Sequence, residues 1–199
     1  MRRQLGLALC VSGGLILSAT GGRYAFGAYR ADQARTAWDE SQAHSAVASA
    51  RSAALNRGPR EMLVAGAPMA HIIIPRIGLD AIVLEGVSDD ELNAGPGHLP
   101  GSAYPGEPGN AVISAHRDRH FNHLDALAIG DTVVTESDSR VTTWRIVARR
   151  VIDKNDPALF RTPDATLTLT TCWPIRYFGP APERLILTAK PLHRSQPQS

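Results

Sequence analysis

Short apolar runs separated by Gly, Pro, Asn and Asp fill the chain from Pro68 to Lys190. The clearest is Ala165 to Pro174, ATLTLTTCWP, in which Thr and Leu alternate. An alternation of period two in β-branched residues predicts a strand with two unlike faces. Thr166, Thr168, Thr170 and Cys172 share one face and Leu167 and Leu169 the other. Trp173-Pro174 ends the ladder, because proline has no N–H to donate. The same reading predicts strands at His71–Pro75, Ala81–Glu85 and Asn110–Ala115. It adds a hairpin of Asp131–Glu136 with Val141–Val151 across Ser137–Arg140, and a last strand at Arg184–Ala189. Asp89–Leu92 reads as one helical turn and Phe121–Leu127 as a short helix. Gly95–Gly109 is too rich in Gly and Pro for regular structure, and Ile152–Asp164 reads as a loop. About seven or eight short strands with little helix predict an all-β barrel or sandwich over 68–192, large enough for one core.

The first third of the chain is patterned differently. Met1-Arg2-Arg3 precedes an uncharged run, Leu5–Thr20. A basic start before an apolar stretch reads as an export signal or signal anchor. The run is shorter than the roughly 20 residues that span a bilayer. Extension to Ala28 gives the length, with Arg23 and Tyr24 at the far interface. We read residues 1–28 as an uncleaved anchor, with a cleaved signal peptide as the rival. Arg2 and Arg3 keep the N-terminus cytoplasmic and place the rest outside, in the periplasm or at the cell surface. Residues 29–67 are Ala-rich with Gln, Glu and Arg, so helix propensity is high and apolar periodicity weak. They predict a solvated helical stalk that stops near Asn56-Arg57-Gly58-Pro59, with Trp38 either packed back on the domain or at the membrane surface. Residues 193–199 form a polar tail.

Charge adds little. The 199 residues carry a net charge of +2 with the signs mixed, which argues against a large nucleic-acid surface. Cysteine adds more. One of the two, Cys10, lies in the apolar N-terminal run, so Cys172 stands alone in the remainder. There is no CxxC and no cysteine pair for zinc. A free Cys is commonly a small buried hydrophobe. An unpaired thiol in an exported protein is also a candidate nucleophile.

Three polar residues end apolar strands. His116 follows AVISA, Cys172 follows TLTLTT, and Arg184 precedes LILTA. A small barrel whose neighbouring strands run antiparallel can bring such ends to one rim. A thiol attacks only as thiolate, and its usual pKa is about 8.5. An imidazole beside it can share the proton and return it to a leaving amine. A guanidinium stays charged and can stabilise an oxyanion. Together they suit acyl transfer through a thioester.

Thr168-Leu169-Thr170-Thr171-Cys172 resembles the TLxTC signature of the sortases, membrane-anchored cysteine transpeptidases of the bacterial envelope. His116 in SAHRD and Arg184 in RLILTA match that family's His and Arg in order and spacing. The likeness runs from about Ile72 to Lys190. The passage LPGSAYPGEPGNAVISAHRD, with His120 to Leu124 after it, is most similar to class D and the Gram-negative group. The resemblance implies a closed eight-stranded β-barrel with its site in a groove. It implies Cys172 attacking the Thr–Gly bond of an LPxTG-like C-terminal sorting signal, His116 as general acid and base, and Arg184 supporting the oxyanion. The competent thiolate–imidazolium pair is then a minority form, and an amine resolves the thioester. Thr171 would line the oxyanion region. Leu159 and Phe160, before the Cys strand, would supply an apolar wall for the signal. The partners implied are a substrate protein bearing that signal, an amine acceptor and the membrane. No cofactor is implied.

Other residues were weighed beside these. Arg176 ranks behind Arg184, and Asp118 is a possible orienter of His116 that reads more simply as surface charge. His116, His120 and His123 lack the partners of a metal site, so no metal is expected. Two other functions fit the residues: a thiol peptidase that releases the free acid, and a non-catalytic module that binds envelope peptides.

Overall fold

The computed structural model describes residues 21–23, 25–42, 64–137, 140–154, 162 and 164–192. Its centre is a closed barrel of eight strands. In chain order these are β1 (Pro68–Ile74), β2 (Leu79–Glu85), β3 (Gly97–His98), β4 (Asn110–Ser114), β5 (Thr132–Ser137), β6 (Arg140–Asp153), β7 (Thr166–Trp173) and β8 (Glu183–Pro191). Around the barrel they run β1-β2-β3-β4-β7-β8-β6-β5, and β5 pairs with β1 to close it. The barrel, rather than the sandwich, is therefore the fold.

Alternation places the core. Leu167 and Leu169 of β7 meet Leu185 and Leu187 of β8, Ile113 of β4, Ile72 and Ile74 of β1 and Trp144 of β6 in one buried cluster. Burial of each such side chain contributes about 1.5–3 kcal/mol. The one polar atom of Trp144 is satisfied, since its Nε1–H donates to Thr135 Oγ1 at 2.8 Å. On the other face of β7, Thr168 is also buried, and its hydroxyl donates to Asn110 Oδ1 at 2.8 Å.

Gly95–Gly109 is less irregular than its composition suggests. It contains β3, which pairs parallel with β2 and antiparallel with β4. Glycine lets this segment fit, because a Cβ at Gly97 would lie 2.2 Å from the Gly86 carbonyl oxygen. His98 pins the segment from inside. Its Nδ1 is 2.7 Å from the Glu85 carboxylate, and its Nε2 lies 2.8 Å from Ser102 Oγ and 3.0 Å from the Ala103 carbonyl oxygen. The helix expected over Phe121–Leu127 is instead a turn followed by a 3-10 helix at Leu124–Ala126. Phe121, Leu124 and Leu127 are all buried, and their spacing of three is the period of the tighter 3-10 form. The helical turn after Gly86 is a full short helix, α2 (Asp89–Ala94). Ser88 and Glu91 form a capping box at its start.

Residues 21–23 and 25–42 are helical, and we call this element α1. It is not the solvated spacer expected. Ala34 and Trp38 are buried against Ile82, Leu84 and Ala94 of the barrel and α2. Arg35 pairs with Asp80, and His71 Nε2 lies 2.8 Å from the same carboxylate. The buried stripe was hard to see because part of it is Gly27 and Ala34, which carry almost no hydropathy signal. Gly27 is needed for the approach, since a Cβ there would lie 2.5 Å from the Asn93 carbonyl oxygen. No helix among the described residues is long and apolar enough to cross a membrane. Residues 1–20 and 43–63, which include most of the anchor and stalk readings, lie outside the described residues.

Candidate active site

Cys172 is the next-to-last residue of β7, which lies between two neighbouring strands. On one side is β8, antiparallel, with Arg184 directly opposite Cys172. Residues so paired share a face, with Cβ atoms about 4.5–5.5 Å apart. On the other side is β4, whose register with β7 pairs Ser114 with Thr170. His116 follows Ser114 by two residues, as Cys172 follows Thr170 by two. The backbone supports the continuation, because the Ala115 N–H donates to the Thr170 carbonyl at 3.2 Å. Cys172 and Arg184 are a cross-strand pair of β7 and β8, His116 follows the end of β4 on the other side of β7, and each of the three is half-buried. The β4–β7 pair is parallel, not antiparallel as the rim argument assumed. Two C-terminal strand ends meet there.

These residues are held from several directions. Thr171, buried on the core side of β7, donates its hydroxyl to the Ala115 carbonyl at 2.7 Å. That bond joins the residue before His116 to the residue before Cys172. The His116 carbonyl accepts from Arg119 N–H at 3.3 Å and from Phe121 N–H at 3.2 Å, which closes a tight turn beyond the imidazole. Arg184 Nη1 donates to the Glu183 carbonyl at 3.0 Å.

Arg117 was not singled out from the sequence. Its Nη1 donates to the Pro174 carbonyl at 3.0 Å and its Nη2 to the Gly179 carbonyl at 2.6 Å. The guanidinium also lies 5.6 Å from the Tyr177 ring centroid. It therefore ties the segment after His116 to the loop after Cys172. Its only signal in the sequence was adjacency to His116. Trp173 packs against the core cluster and carries the Arg149 guanidinium over its ring at 5.7 Å.

The remaining candidates fall further out. Asp118 and Arg176 are exposed. His120 lies near His116 with its Nδ1 buried and without a partner. Burial, then the charges of Arg119 and His116, push its pKa below the usual imidazole value. His120 lines a cleft of about 440 Å³ between α1 and the barrel, together with Gly27, Gly78, Asn93 and Asp118. Leu159 and Phe160 lie outside the described residues. Among the described residues, no three His, Cys, Asp or Glu side chains are grouped to hold a metal ion.

A thiol between an imidazole and a guanidinium is suited to attack on a carbonyl carbon. The imidazole can carry a proton between thiol and leaving group, and the guanidinium can meet negative charge on oxygen.

Comparison with known proteins agrees. The family profile described as "Sortase domain" matches residues 72–192. Sortase D of Bacillus subtilis (strain 168) is 36% identical over 119 residues, which cover 59% of this chain and 60% of that relative. The match thus spans less than two thirds of the relative's own length. A sortase D5 transpeptidase of Clostridium perfringens superposes with a TM-score of 0.66 at 22% identity, over 85% of this chain and 99% of that one. That likeness is one of fold. Sortase C-1 from Streptococcus pneumoniae superposes with a TM-score of 0.59 at 28% identity, over 70% and 75% of the two chains.

Proposed function

This chain belongs to the sortase family, and from that premise we propose that it is a membrane-anchored cysteine transpeptidase acting on an LPxTG-like C-terminal sorting signal. The observation that supports the reading most directly is the pairing of Arg184 opposite Cys172, with the strand that leads to His116 running parallel on the other side of β7.

In the proposed reaction the Cys172 thiolate attacks the carbonyl carbon of the signal's Thr–Gly bond. The tetrahedral oxyanion is met by the Arg184 guanidinium. The C–N bond breaks, and the His116 imidazolium gives its proton to the departing Gly amine. The product is a thioester on Cys172 and a neutral imidazole. An amine from a second substrate then attacks the thioester carbonyl. His116 takes the amine's proton, an amide forms, and the thiolate leaves. The charges at start and end are the same, so the cycle needs no redox partner or cofactor. Thr171 supports the oxyanion region from behind, by fixing the backbone that carries Cys172. Leu159 and Phe160 wall the subsite for the signal's Leu and Pro. The anchor falls within residues 1–28, its end at Gly27 already packed on the folded domain, and it puts the barrel on the extracytoplasmic side. The fold match and the 36% identity to a sortase D support the class D assignment.

The test is product mass. The protein is incubated with an LPxTG-like peptide and an excess of a primary amine. A peptide ending in the new amide, lost in Cys172→Ala, is the expected result. The free acid alone would make the protein a thiol peptidase. No cleavage of a panel of such peptides would leave a peptide-binding module.

A further inference from the structure

We propose that the active-site end of the barrel lies against the bilayer surface, on a rim of aromatic side chains from α1 and from the loop between β7 and β8. The proposal rests on the reading of residues 1–28 as an anchor.

Four aromatic side chains among the described residues are exposed: Phe26 at 60%, Tyr29 at 59%, Tyr177 at 49%, and Phe178 fully. The other described aromatics are buried or half-buried. Phe26 and Tyr29 lie in the first turns of α1, and Tyr177 and Phe178 in the loop that follows Cys172. These two places are far apart in sequence but meet through one turn. A Cβ on Gly27 would lie 2.7 Å from Arg119 Nη1, which places α1 against that residue. Two residues earlier, Arg117 holds the carbonyls of Pro174 and Gly179. The turn after His116 thus touches α1 on one side and the aromatic loop on the other. All four exposed rings therefore flank the end of the barrel that carries His116 and Cys172.

Hydration of an exposed Phe is unfavourable, so exposed aromatics gathered at one end mark a contact surface. Two features select a bilayer as the occupant. The uncharged run Leu5–Thr20, the apolar part of the proposed anchor, ends directly before the first described residues of α1, the helix that carries Phe26 and Tyr29. Arg23 and Arg176, both exposed, sit within three residues of an exposed ring on each side of the surface. Aromatic rings with arginines beside them suit the headgroup layer, where rings enter the acyl boundary and guanidinium groups meet phosphates. The consequence is functional. A substrate held in the same membrane presents its cleavage site close to the surface, and a thiol facing that surface meets it there.

The full chain in vesicles of phosphatidylcholine and phosphatidylglycerol, doped with a photoactivatable acyl-chain lipid, tests this. After irradiation, lipid adducts are mapped by mass spectrometry. Adducts on the peptides carrying Phe26–Tyr29 and Tyr177–Phe178 are expected. None is expected at Val141, which is 63% exposed but lies at the start of β6, whose far end carries Ile152 opposite Arg184. Phe178→Ser should lower the loop adduct at least about fivefold, given the apolar area withdrawn from lipid. It should slow cleavage of a vesicle-borne substrate while leaving cleavage of a soluble peptide unchanged. Retention in alkaline carbonate is read in parallel. A chain that is retained but carries no loop adducts, or equal adducts at Val141, overturns the orientation and leaves the anchor standing. A chain that is washed off without adducts overturns both. A chain that is washed off yet labelled at the loop supports the rim and removes the anchor.

Discussion

The Thr171 hydroxyl and the Ala115 carbonyl, 2.7 Å apart, join the two strands that deliver Cys172 and His116. Each is one residue from a group assigned a part in the proposed chemistry. Thr171→Val keeps shape and removes the donor, which leaves a buried carbonyl unpaired at a cost of about 1–3 kcal/mol. The expected outcome is a lower Tm together with a fall in kcat of about tenfold or more, with KM little changed, because the imidazole and thiol are no longer held in register. Thr171→Ser restores both. An unchanged kcat in a destabilised Thr171→Val would show that the bond serves folding alone.

Arg184 lies opposite Cys172 and is half-buried, so its removal leaves no buried partner stranded. Arg184→Ala should leave Tm nearly unchanged while lowering kcat/KM by about 10²-fold or more, the usual effect of losing an oxyanion donor. Arg184→Lys keeps the charge and loses the planar fork, so it should fall between the two. Steady-state rates with a peptide substrate decide this. Equal rates for Arg184→Lys and wild type would reduce the role of Arg184 to charge.

Arg117 holds the loop after Cys172 by two hydrogen bonds to backbone carbonyls. Arg117→Met keeps the stem and removes both bonds. Amide exchange and protease cutting over residues 174–182 should speed up, and kcat/KM should fall by about tenfold, since each charge-assisted bond is worth about 1.5–3 kcal/mol where it is dry and less at this partly exposed site. A silent Arg117→Met would mean that the loop is held by Trp173 and Ile175 against the core.

Much of this arrangement was legible in the residues, and the failures have physical causes. The β7 alternation was plain because a barrel strand has one face in the core, and Leu167 and Leu169 occupy it. His116, Cys172 and Arg184 stood out because each interrupts an apolar strand at its end. The strand partners were not legible. Whether β4 meets β7 parallel or antiparallel depends on the connection between them, and periodicity is blind to that. The two-residue β3 was hidden in a Gly- and Pro-rich passage, because its pairing rests on the lack of a side chain at Gly97. Arg117 gave no sign beyond its place next to His116, since its partners are backbone carbonyls, which have no identity in a sequence. The docked face of α1 was legible only at Trp38, because Gly27 and Ala34 contribute fit rather than hydropathy.

That docked face predicts a helix that can leave without the barrel. Ala34 and Trp38 belong to a small cluster apart from the barrel core. Trp38→Ala should remove about 3 kcal/mol from the docking of α1. Amide exchange over residues 25–42 should accelerate strongly, while the amides of β7 and β8 keep their protection. Acceleration of both together would show that helix and barrel unfold as one unit.

His120 sets a pH dependence of stability. Burial, then the charges of Arg119 and His116, hold its folded-state pKa below the ordinary imidazole value of 6.5. In the unfolded chain it returns to that value, so between the two the unfolded state binds more protons. The stabilising contribution is therefore fully present above about pH 6.5 and is lost as pH falls through the lower folded-state value. The Asp80 carboxyl, lowered by its hydrogen bonds to His71 and Arg35, acts in a separate window. Its contribution is present above about pH 3.9 and fades only below that. Tm measured from pH 7.5 to pH 5 should fall for the wild type and fall less for His120→Gln, which stays neutral throughout. Parallel Tm profiles for the two proteins would assign the acid sensitivity to another group.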